Sequence, residues 1–267
     1  MGTVQLQQTG AVAYLTLSHP QRLNALSVQM WQQLRTHVHT LNAAAQADQL
    51  RVLVIRGAEG NFAAGADIAQ FEQQRHSQTQ VIRYHEKILA PALQAIINFP
   101  APVIAAIQGA CVGGGLEIAA CCDLRLATED ARFGVPIHQL GFPMAPQELN
   151  GLLRIVGPAV AAELLFEGRI LDATEAYHKG LVTRVVPTAA LEQELQNSIA
   201  HVLRGAPGAA RATKDLIRRL QPSSAPLSST ELEQFYGYAE SAEHREGVRA
   251  FLEKRTPQFG EEIEPSQ

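Results

Sequence analysis

Charge is scarce in this chain. Asp, Glu, Lys and Arg make up 18% of its 267 residues and nearly balance, leaving a net charge of −4. No block of Lys and Arg stands out, which argues against a nucleic-acid surface. Cysteine is scarce too: Cys111, Cys121 and Cys122 form an odd set without Cys-x-x-Cys spacing. That argues against a disulfide framework and structural zinc, and it fits a reducing cytosol. No apolar run approaches the ~20 residues of a membrane span, so no membrane partner is expected. Met1 to Thr9 is polar and alternating, unlike a signal peptide. Several nucleotide, nucleophile and metal signatures are missing. Gly109 to Gly115 is not G-x-G-x-x-G and has no Lys-Ser/Thr after it; neither G-x-S-x-G nor H-E-x-x-H occurs. No metal is expected.

Apolar residues make up 46% of the chain, and a fold of this size buries roughly 70–75% of its unfolded surface. The low charge fraction fits either a large core or surface covered by partner subunits. Val4-Gln5-Leu6 and Ala11 to Leu17 alternate like strands around Thr9-Gly10. Ser27 is a good N-cap for a helix from Val28 to about Gln46, with Met30, Leu34, Val38 and Leu41 at helical spacing. Val52 to Ile55, Val103 to Ile107, Leu124 to Ala127 and Val182 to Val186 read as strands. Gln80 to Phe99 reads as a long helix kinked or restarted at Pro91. Asp172 and Gly180 bracket a short helix. After Pro187 the pattern is helical, interrupted by a loop at Gln221 to Ser229. Alternating strands and helices imply an α/β fold.

Two small-residue turns carry the chemistry. Asn61-Phe62-Ala63-Ala64-Gly65-Ala66-Asp67 follows the strand at Val52 to Ile55, and Gly109 to Glu117 follows the strand at Val103 to Ile107. Such small side chains let a ligand reach bare backbone N–H groups. One amide from each turn converging on a carbonyl oxygen makes an oxyanion hole, suited to acyl chemistry through an enolate or a tetrahedral intermediate. The other reading is that the glycines only permit close packing of helix on strand. The apolar stretch from Leu116 to Cys122 reads as a helix, whose N-terminus favours negative charge. Glu117 falls in its first turn, either as an acid/base or as an acid stabilised by the helix dipole.

Six segments occur in order: Pro20 to Leu26, Phe62 to Ile68, Gly113 to Glu117, Cys122-Asp123-Leu124, Ala131-Arg132-Phe133-Gly134 and Phe251 to Arg255. Together they resemble the crotonase (enoyl-CoA hydratase/isomerase) superfamily over nearly the whole chain. The resemblance implies a spiral of ββα units over residues 1–190 and a C-terminal helical region over 191–267 that builds trimers or dimers of trimers and lies over coenzyme A. It implies an acyl-CoA substrate, with coenzyme A as part of the substrate and no separate cofactor. Ala66 and Gly114 match the oxyanion donors and Glu117 the first of two glutamates in family hydratases. The second should follow Pro136, where this chain has Ile137. Isoleucine can neither hold nor deprotonate water.

His138 and Glu148 are the candidates to compensate, against plainer readings as a structural histidine and a helix-start acid after Pro146. His85 and Glu86 are further candidates, on a helix that the resemblance places along the acyl pocket, against a plainer reading as a solvated helix face. The resemblance places Leu23, Ala25, Ala64, Asp67 and Ile68 along the adenine and pantetheine path. It places Phe235 and Lys254 against coenzyme A, in relatives often from a neighbouring subunit, and Arg22 is positioned for phosphate. Asp67 also reads as a helix cap, and Lys254 with Arg255 as a solvated helix end. Ile137, Phe142 and Met144 suggest an apolar pocket wall. The leading expectation is hydration across a 2,3 double bond. The alternatives are isomerisation or decarboxylation by Glu117 alone, and an acyl-CoA-binding scaffold without turnover.

Overall fold

The computed structural model describes residues 1–221 and 227–259, without the side chain of residue 72. The expected loop at 221–229 therefore lies largely outside the described residues. In chain order the elements begin with β1 (Thr3–Thr9), β2 (Val12–Ser18), α1 (Val28–Gln46) and β3 (Val52–Gly57). Next come α2 (Phe71–Gln74), α3 (Gln78–Ile82), a π-helical turn (Arg83–Leu89) and α4 (Ala90–Ile97). Then follow β4 (Val103–Ile107), β5 (Ala110–Val112), α5 (Gly114–Cys121), β6 (Leu124–Thr128) and β7 (Arg132–Gly134). The rest are α6 (Pro146–Glu167), β8 (Leu171–Asp172), α7 (Ala173–His178), β9 (Arg184–Val186), α8 (Leu191–Arg204), α9 (Pro207–Arg219), α10 (Ser229–Phe235) and α11 (Ala242–Leu252).

Six strands form one sheet in the order β1-β2-β3-β4-β6-β9, antiparallel only between β1 and β2. A second sheet has the order β5-β7-β8. The chain leaves the large sheet at β4 for β5, and again at β6 for β7. After β3 it does the same, with Ala63 bridging to Cys111 of β5. Each coil thus gives one strand to each layer, which makes the spiral.

Both faces of the large sheet are covered, so its central strands are nearly continuous apolar runs. Ser27 caps α1 by accepting from the Met30 amide, and Met30, Trp31, Leu34, Val38, Leu41 and Ala45 bury one stripe of it. On the other face Leu191, Leu195 and Ile199 of α8 pack on Val12, Val52, Val54, Ile104 and Leu126. Burying each such side chain contributes about 2 kcal/mol. This places α8 in the layered core, so residue 190 is not a packing boundary. α9 is tied to the same body, with buried Lys214 donating to the Ala101 carbonyl and the Asp123 carboxylate.

Two further expectations are corrected. The 78–97 helix is not kinked at Pro91; its irregularity is the π turn at Arg83–Leu89, just before that proline. Pro91 has no amide hydrogen and its ring crowds the carbonyl of residue 87, so a regular α-turn is disfavoured there. By length and composition α6 is apolar enough to cross a bilayer. It is broken at Gly157, however, where φ is 70° and ψ is 177°, and Pro158 follows.

Candidate active site

The two small-residue turns lie back to back. Asn24 locks the first one: its amide nitrogen donates to the carbonyls of Ala58 and Asn61, at 2.8 and 2.7 Å. The Asn61 side-chain oxygen accepts from the Ala110 amide at 3.0 Å. Backbone bonds from Ala63 to Ala110 and from Val112 to Ala63 join the turns. Gly113 starts α5 at a φ of +51°, which an L-residue rarely adopts. A Cβ on Gly115 would sit 2.3 Å from the Ala63 carbonyl oxygen. The close-packing reading of these glycines therefore holds, and it does not displace the other one. Among the described residues, the amides of Ala66 and Gly114 donate no hydrogen bond. Both residues line one cavity.

That cavity, about 210 Å³, is far larger than the ~15 Å³ a single water needs. Glu117 enters it from the first turn of α5, 6% exposed, and its Oε2 has no hydrogen-bond partner among the described residues. Burial pushes its carboxyl well above the ordinary range; the nearby Glu148 charge adds to this and Arg75 partly offsets it. Glu117 therefore favours the protonated form.

A second proton-carrying group faces it. Glu148, in the first turn of α6, is 4% exposed, and its Oε1 lies 2.5 Å from Nδ1 of the buried His85. Burial raises Glu148 to about 7, while burial and then Arg75 hold His85 well below its usual value. The imidazole is thus neutral and donates from Nδ1 to the carboxylate. Its Nε2 faces the Tyr238 hydroxyl at 3.5 Å, and its ring stacks on Tyr236 at 5.7 Å.

The solvated-face reading of His85 and Glu86 is therefore corrected. The π turn carries Tyr84 and His85 to the cavity, and Glu86 accepts from the Tyr236 hydroxyl at 2.6 Å. His138 is exposed and lines a separate shallow groove with Phe166 and Phe235, away from Glu117. It cannot compensate for Ile137, which lines the cavity together with Phe142. Met144 instead lines that separate groove.

Near the cavity mouth, Ala64 and Ile68 line the wall. Leu23 is 54% exposed, and Ala25 is half-buried beside it. The Asp67 side chain caps nothing, contrary to expectation; it accepts from Arg22 at 2.8 Å. Within one chain, Phe235 and Lys254 do not reach the cavity: Phe235 packs edge-on against Tyr236, and Lys254 is exposed. Phe251 and Arg255 line it instead. Buried Glu246 fixes Arg255, accepting from its Nη1 at 2.5 Å and its Nη2 at 2.9 Å.

A spiral of paired strands thus holds a cavity lined by two free amides and a buried carboxyl. The chain belongs to the enoyl-CoA hydratase/isomerase family, whose model matches residues 7–262. It is 35% identical over 250 residues to 2,3-dehydroadipyl-CoA hydratase of Escherichia coli, covering 93% of this chain and 94% of the relative. A solved enoyl-CoA hydratase/carnithine racemase from Magnetospirillum magneticum is 42% identical, with a TM-score of 0.79 and coverage of 97% of this chain and 96% of that one. Methylmalonyl-CoA decarboxylase in complex with 2-nitronate-propionyl-CoA is 26% identical with a TM-score of 0.84, covering 97% of this chain and 98% of that one.

Proposed function

We propose that this chain adds water across, or eliminates it to form, the 2,3 double bond of an acyl-CoA thioester. The observation that carries the reading is Glu117, unbonded and buried, facing the unbonded amides of Ala66 and Gly114. The thioester oxygen accepts from those two amides, so negative charge arriving on it as the enolate forms meets preset donors. The oxygen of water bonds to C3, and the π electrons move through C2 onto the thioester oxygen. The Glu148 carboxylate, held by His85, takes one proton from that water. Glu117, protonated, gives its proton to C2 as the enolate collapses. Proton return from Glu148 to Glu117 through solvent completes the net addition of one water.

Glu148 thus does from α6 what no group at Ile137 can do. The hydratase names among the relatives favour this chemistry. Proton transfer by Glu117 alone, in isomerisation or decarboxylation, is the second reading, favoured by the likeness to methylmalonyl-CoA decarboxylase and by Ile137. Arg22 and Asp67 at the mouth, with Arg255, are the groups for the nucleotide end of coenzyme A. Assembly into trimers or dimers of trimers belongs to the same reading. Phe166 on α6, Leu216 and Ile217 on α9 and Leu220 just after it, each more than half exposed, supply apolar faces for it.

Proton NMR of crotonyl-CoA with the enzyme in D₂O tests the chemistry. Appearance of 3-hydroxybutyryl-CoA, lost in both Glu117→Gln and Glu148→Gln, is expected. Hydration that survives in Glu148→Gln refutes the role of Glu148. Binding of acyl-CoA with no turnover of any thioester leaves only the scaffold reading.

A further inference from the structure

The cavity holds a cation that the steps above do not use. Arg75, just after α2, is 4% exposed and lines the cavity with Glu117. Its guanidinium carbon lies over the rings of Tyr84 and Phe71, 3.7 and 3.9 Å from their centroids, with Phe142 at 5.6 Å. Its Nε is buried and bonded to nothing among the described residues. No carboxylate among the described residues pairs with it; the adjacent acid, Glu148, is held by His85. A guanidinium buried with no carboxylate in bonding contact is costly, and the stacked rings and the nearby Glu148 charge repay only part of that cost. The rings also hold its planar fork in place, which is the geometry that binds carboxylate in a bidentate manner. The cations at the mouth are different: the Arg22 side chain is 51% exposed and that of Arg255 is 36% exposed. They suit solvated phosphates, whereas Arg75 belongs to the enclosed acyl end.

Resting on the reading of this cavity as an acyl-CoA site, we propose that Arg75 receives a second carboxylate at the acyl end. The substrate class is then the coenzyme A thioesters of dicarboxylic acids. The part of Arg75 is choice and positioning of the substrate.

Binding of saturated thioesters tests this apart from any turnover. Succinyl-, glutaryl- and adipoyl-CoA would be titrated calorimetrically against butyryl-, pentanoyl- and hexanoyl-CoA, with wild type, Arg75→Gln and Arg75→Lys. At one chain length or more the diacid thioester should bind about 10- to 100-fold tighter than its partner, as a charge-assisted pair implies. Arg75→Gln should reduce that ratio to about 1, and Arg75→Lys should keep part of it. Equal binding of both series by wild type overturns the inference, and this arm stands even if Arg75→Gln fails to fold. A preference that survives in Arg75→Gln also overturns it. So does an Arg75→Gln effect confined to the pH profile, which would mean that Arg75 only tunes Glu117 and Glu148. A diacid preference without hydration of any enoyl-CoA upholds it while refuting the proposed reaction. Failure of every thioester to bind overturns both.

Discussion

Replacing Glu148 by Gln should make the protein more stable relative to wild type as the pH rises. In the folded chain the Glu148 carboxyl is raised from the ordinary 4.5 to about 7, chiefly by burial. Between those values the folded state holds a proton that the unfolded state has released. Wild-type stability therefore falls as pH climbs through this window, by about 3 kcal/mol in all at about 1.4 kcal/mol per pH unit. The effect is absent below pH 4.5 and complete somewhat above 7. Gln has the same shape, still bonds to His85, and does not titrate. His85 works in the opposite sense, costing stability as pH falls below its unfolded value, but it does so in both proteins. Urea unfolding at pH 4.5, 6 and 8, at fixed ionic strength and protein concentration, gives the difference directly. The variant should gain about 3 kcal/mol on wild type across that range. A difference constant within about 0.5 kcal/mol, or one that moves the other way, would refute the burial argument.

The packing implies three other outcomes. Gly115→Val should abolish activity and cost several kcal/mol, because its Cβ meets the Ala63 carbonyl at 2.3 Å and backbone must move; activity and melting temperature both report it. Trp31 is buried with its Nε1 unpaired among the described residues. Trp31→Phe should therefore cost only about 1 kcal/mol, whereas Trp31→Ala should cost about 3–5 kcal/mol, by urea unfolding. Glu246→Ala should raise KM for an acyl-CoA more than it lowers kcat, because Arg255 loses the carboxylate that fixes it at the cavity; steady-state kinetics separates the two.

Local signals are legible where the chain argues with itself over a few residues. Ser27 and the 3.6-residue apolar stripe after it mark α1, and small residues after apolar runs mark both turns that line the cavity. The features that cannot be read depend on contacts through space. Of the aromatic clamp on Arg75 only Phe71 is near it in sequence; Tyr84 reaches it from another helix and Phe142 from beyond β7. His85 reads as solvated only while a regular α-helical period runs through residues 83–89. Glu148 reads as an ordinary helix-start acid until His85, 63 residues away, is seen at its side. Lys254 and Arg255 are adjacent, and only the turn after α11 decides which faces inward.

The π turn sets a rotational phase between two stretches of one long helix. Each residue added to or removed from a helix rotates the stretch before it by about 100° against the stretch after it. Deleting one residue between Arg83 and Leu89 would restore an α-helical winding while leaving α4 seated on the sheet. His85 and Tyr84 would swing off the cavity wall, and Glu148 would lose its partner with no ligand-facing side chain substituted. A length change of one codon in this segment can therefore supply or remove the imidazole that holds Glu148, while Glu117 and the amides of Ala66 and Gly114 stay in place. Chains sharing this spiral can in that way differ in the reaction they run through insertions that point-by-point comparison of site residues would overlook.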